Sequence, residues 1–142
     1  MDGGQIKYVW TDAWVLQAVI YASKNGGADL RNIIAFGDTI NQAVFRPEEL
    51  ESGLYRLAKG GWIEDLGKKF QPSQKTRAAY AEIPKDGWSL VQEMELVAEF
   101  LGLPNVDYQN QPCPNPENRF SYPGFTEARF DAAVKKYRAG EP

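Results

Sequence analysis

Between Thr11 and Ala22 the apolar positions Trp14, Val15, Ala18, Val19 and Ala22 recur at intervals of three and four, and the stretch ends at Asn25-Gly26-Gly27. That spacing gathers the apolar side chains on one face of a helix. Thr11 or Asp12 offers an oxygen to the free amides at its start, and the glycine pair permits the backbone that ends it. Trp10 and Trp14 share a face with Ala18 and Tyr21, which points to core or dimer packing before ligand stacking. Asp29 opens a second helix through Leu30, Ile33, Ile34, Ile40 and Val44, with Gly37 as its weak point.

The segment RPEELESGLYRLAKGGWI carries the clearest local pattern. Pro47 suits a first helical turn, and Glu48, Glu49 and Glu51 sit at the end that the helix dipole favours for acids, facing solvent. Leu50, Leu54, Leu57 and Ala58 form the apolar stripe, and Gly60-Gly61 ends the helix. Trp62 and Ile63 start an extended piece that Trp62 anchors. Gly67 marks a turn, Phe70 returns to the core, and Pro72-Ser73 leads into a short helix to about Glu82.

Pro84, Asp86 and Gly87 break the chain before SLVQEMELVAEFLG, whose Leu90, Met94, Val97, Ala98 and Leu101 fit one helix face. Trp88 opens this helix, where it covers the join to what precedes. Residues 104 to 123 hold five of the nine prolines and follow neither the helical nor the strand period, so they read as a long irregular connection. A last helix starts near Thr126, with Phe130, Val134 and Tyr137 spaced for burial. The pattern as a whole predicts a mainly α protein with a small β-hairpin.

A chain of 142 residues can bury one substantial core, and its 43% hydrophobic and 25% charged residues exclude collagen-like and largely disordered classes. The absence of histidine removes imidazole catalysis, His-containing triads and the common zinc sites. Cys113, the only cysteine, admits no intrachain disulfide and stands between two prolines without a base to activate it. Asp29, Asp38, Glu64 and Asp65 lie in no motif that couples them to a second acid or a metal. The expectation is a non-enzyme without cofactor or metal. No basic leader or membrane-length apolar run is present, so a cytoplasmic protein is expected.

Within LESGLYRLAKGGWIEDLGKKFQPSQKTRAAY, a helix ending in Leu-Ala-Lys-Gly-Gly precedes an apolar strand, a basic turn and a Phe-x-Pro-Ser lead into the next helix. The order from Thr11 to Ile83 resembles a winged helix-turn-helix domain, with Pro72-Ser73-Gln74-Lys75-Thr76 where many members have a Thr-x-x-Gly turn. The resemblance implies a winged-helix domain over residues 1–87, with a recognition helix at 47–59 and a wing at 62–72. A C-terminal helical extension over residues 88–142 would pack on it or serve dimerisation. It also implies a DNA-binding, transcription-regulator-like homodimer on double-stranded DNA.

Residues 66 to 81 carry Lys68, Lys69, Lys75 and Arg77 and no acid, a local balance of +4 in a chain of net charge −3. Such charges suit phosphate contact. The candidate nucleic-acid-binding residues are Arg46, Ser52, Tyr55, Arg56, Lys59, Lys68, Lys69, Lys75 and Arg77. Arg56 would read a base edge or a phosphate, and the wing lysines Lys68 and Lys69 would act as point charges on the backbone. Against this, Glu48, Glu49 and Glu51 would repel an approaching duplex, so the alternative is a non-enzymatic protein-interaction module of the same fold. Charge also divides along the chain. Residues 1–87 hold 11 basic and 11 acidic groups while residues 88–142 hold 5 and 8, so the net acidity belongs to the extension.

Overall fold

Helix α1, Trp10–Ala22, is the central element of the core. The structure is a computed structural model that describes residues 8–23, 26–41, 47–67, 69–83, 90–103 and 127–139; Val44, Trp88, Cys113 and the 104–123 connection lie outside them. Trp10 and every residue from Asp12 to Val19 are buried. The one-faced stripe expected from the sequence is therefore corrected to a helix covered on all sides, because the helices Leu30–Asn41, Pro47–Lys59 and Leu90–Phe100 and the strand Phe70–Pro72 all pack against it. Its start is corrected too. Thr11 and Asp12 lie inside the helix behind the capping residue Val9, and the Asp12 carboxylate reaches back to accept a 2.9 Å bond from the Val9 amide.

Helix α2, Leu30–Asn41, opens where expected, with Asp29 Oδ1 accepting from the Asn32 amide at 2.9 Å. It continues through Gly37, whose carbonyl accepts the Trp14 indole N–H at 2.8 Å in a buried setting. Helix α3, Pro47–Lys59, buries Leu50, Leu54 and Leu57 completely. It crosses α1 at Gly53, where an added Cβ would stand 2.9 Å from Val15 Cγ2 and 3.3 Å from Asp12 Oδ1. Gly53→Ala gains about 1 kcal/mol of helix propensity and meets overpacking of about 1–3 kcal/mol, so we expect a net loss of about 1 kcal/mol. Urea denaturation checks this; an unchanged or raised midpoint would mean that α1 and α3 separate freely.

Strands β1, Ile63–Asp65, and β2, Phe70–Pro72, form an antiparallel hairpin with Ile63 opposite Pro72 and Asp65 opposite Phe70. At its turn Gly67 takes a φ of 96°, a left-handed conformation that favours glycine, and its amide donates to Asp65 Oδ1 at 2.8 Å. A third strand position, Ala28, joins the far edge: its N–H and C=O both bond the backbone of Phe70 at 2.8 Å. The glycines before Ala28 signal only a helix stop in the sequence. One residue between two helices carries no alternation for a strand signal to rest on.

Helix α4, Gln74–Ala81, begins at Ser73, whose Oγ accepts from the Thr76 amide at 3.4 Å. The Trp62 carbonyl accepts both the Ser73 amide (3.0 Å) and the buried Thr76 hydroxyl (2.6 Å), which ties the start of the hairpin to α4. Helix α5, Leu90–Phe100, packs on α1 and α2, helix α6, Glu127–Ala139, packs on α2, and together they bring Met94, Val97, Ala98, Leu101, Phe130 and Ala133 into the same core. The architecture is mainly α with one small hairpin, in a helix-plus-wing order. No helix among the described residues is long and apolar enough to cross a membrane.

Candidate functional site

The sequence-predicted residues fall into four groups. Arg46 and Lys68 lie outside the described residues. Ser52 and Arg56 are drawn into the α1–α3 contact. Arg56 Nε donates to Asp12 Oδ2 and Arg56 Nη2 to Asp12 Oδ1, each at 2.8 Å, while Nη2 also donates to Ser52 Oγ at 3.2 Å. Asp12 is fully buried and Ser52 nearly so. Burial pushes the Asp12 carboxyl up, while the Arg56 guanidinium and the Val9 amide pull the other way. A fork of two parallel bonds on a buried carboxylate fixes a guanidinium.

Lys59, Lys69 and Lys75 form the exposed group. Lys59 Nζ lies 5.6 Å from the ring centroid of half-buried Tyr55. Lys75 Nζ sits 3.9 Å from the Trp62 centroid and donates to the Gly60 carbonyl at 3.3 Å, where cations are favoured at the C-terminal end of α3. The Trp62 ring also stacks on Phe100, with centroids 6.3 Å apart and planes 12° from parallel. Lys69 stands at the wing turn over Gly27, where an added Cβ would come within 3.0 Å of its own Cβ. Arg77 is separate: two positions beyond Lys75, it points to the other side of α4 and lines a cavity with Tyr21 and Tyr80.

The acids divide as well. Glu51, expected to face solvent, is fully buried, a correction that follows from how deeply this side of α3 is covered. Glu49 is half-buried, and Glu64 and Asp65 are exposed on β1, Glu64 accepting from the Gln71 amide at 2.6 Å. Sequence reasoning missed the buried Asp12–Arg56 pair and a cluster in which Tyr21 and Tyr80 both donate to Glu93. The second had a legible trace. Leu90, Glu93 and Val97 follow the apolar spacing of α5, so one carboxylate stands inside the stripe.

Among the described residues no three His, Cys, Asp or Glu side chains converge as a metal site. No protein-family model, curated protein or solved structure matches the chain.

Proposed function

We propose that this chain is a DNA-binding protein of the winged helix-turn-helix type, acting as a homodimer that grips duplex DNA through its phosphates. The observation that supports this reading is the exposed trio Lys59, Lys69 and Lys75 on the end of α3, the wing turn and the start of α4. Phosphate contacts need exposed cations of this kind and carry no sequence information by themselves. Arg56, held by Asp12, is not available to read a base edge, so discrimination between sequences is expected to be weak.

Titration of mixed-sequence duplex DNA across a salt series tests the proposal. Association is expected to weaken steeply with salt, and replacing Lys59, Lys69 and Lys75 with alanine is expected to flatten the log–log slope by about 0.9 for each phosphate that is no longer neutralised. No association at low salt would sink it. A second reading, a protein-interaction module of the same fold, is favoured by one observation: Glu51 and Ser52 are buried, which leaves α3 few polar groups to present to base edges. That reading predicts no DNA binding by the wild-type chain at any salt concentration.

A further inference from the structure

Tyr21 of α1, Pro72 of β2, Arg77 and Tyr80 of α4, and Glu93 of α5 surround a cavity of about 540 Å³ that Ile20 also lines. That volume falls within the usual range for small-molecule sites. Glu93 is only 8% exposed. Both phenols donate to its Oε1, Tyr80 at 2.5 Å and Tyr21 in a shorter bond, and Oε2 accepts no hydrogen bond from a described residue. Burial first, and then the bond to Glu93, pushes both phenols above their ordinary value, so they remain donors at neutral pH.

A carboxylate nine-tenths out of water gains most from a cation brought to its second oxygen. Arg77, exposed at the rim, offers a guanidinium suited to a second carboxylate, and Ile20 and Pro72 supply an apolar wall. A buried acid and an exposed guanidinium lining one cavity suit a ligand carrying both charges. We propose that this cavity binds a small zwitterion of amino-acid type, with its ammonium on Glu93 and its carboxylate on Arg77. The inference is independent of the nucleic-acid reading, because these side chains and the three exposed lysines do not overlap.

Calorimetric titration of the full chain tests it with three probes: L-phenylalanine, whose side chain suits the apolar wall, and phenethylamine and 3-phenylpropionate, which each lack one charge. L-phenylalanine is expected to bind, phenethylamine about tenfold more weakly, and 3-phenylpropionate not measurably. Glu93→Gln keeps an acceptor for both phenols and is expected to weaken L-phenylalanine by at least about 30-fold. Arg77→Ala, an exposed truncation that leaves the core intact, is expected to bring L-phenylalanine down to the affinity of phenethylamine. The proposal is overturned if neither amine binds saturably up to about 10 mM. It is equally overturned if 3-phenylpropionate binds as tightly as L-phenylalanine, or if Arg77→Ala leaves the preference for L-phenylalanine intact.

Discussion

Arg56→Ala is expected to destabilise the protein by about 3–5 kcal/mol near neutral pH, because it leaves the Asp12 carboxylate buried without its counter-charge. Asp12 is fully buried beside the close crossing at Gly53. The reciprocal change is expected to cost less. In Asp12→Asn the amide oxygen still accepts from the Val9 backbone, and Arg56, 16% exposed at its side chain, can turn its head group outward. Combining Arg56→Ala with Asp12→Asn is expected to cost less than the sum of the two, with the coupling read from a double-mutant cycle of urea denaturations.

The pH dependence has a definite sign. The folded Asp12 carboxyl lies above its ordinary 3.8, chiefly through burial, and losing Arg56 moves it further up. A carboxyl raised in the folded state contributes stability that is fully present below its unfolded value and is lost as pH rises through the folded one. The deficit of Arg56→Ala is therefore expected to shrink as pH falls from neutrality toward the ordinary carboxylate range. A deficit that stayed constant or grew on acidification would show that Asp12 is not the group left exposed to the penalty.

Most of the element order was legible because it is written locally. The Pro47 start and Gly60-Gly61 stop bound α3 within the sequence itself, and Ser73 caps α4 as its position after Pro72 suggested. What escaped depends on residues far apart in the chain. Asp12 and Arg56 are 44 positions apart, and Tyr21 and Glu93 are 72 apart, so neither pair leaves a local pattern. The same holds for Glu51, whose place among helix-start acids fitted solvent until the cover over α3 was visible. The candidate site changed accordingly. Lys59, Lys69 and Lys75, which local charge put forward, stand exposed, but a count of charges gives an arginine held by a buried carboxylate the same weight as a free one.

Phe70→Ala is expected to cost about 3–5 kcal/mol, the range for removing a buried aromatic side chain from a core that cannot close over the gap. Phe70 is fully buried and stands where three pieces of backbone meet. It pairs with Asp65 across the hairpin, exchanges two bonds with Ala28, and accepts the Ser23 hydroxyl at 3.2 Å on its carbonyl. Its ring thus holds the wing against α1 while its backbone holds the residue that joins α1 to α2. Leu66, 52% exposed near the wing turn, is the control: Leu66→Ser is expected to stay within about 0.5 kcal/mol of wild type. Hydrogen exchange adds a local readout, since the Ala28 amide donates to Phe70 and its protection should fall in the Phe70 variant beyond the global loss. If Phe70→Ala proved no more costly than Leu66→Ser, the hairpin would be an appendage that folds and moves apart from the helices. A wing of that kind could not hold Lys69 in a fixed relation to Lys59, and the phosphate-binding role proposed for this surface would fail with it.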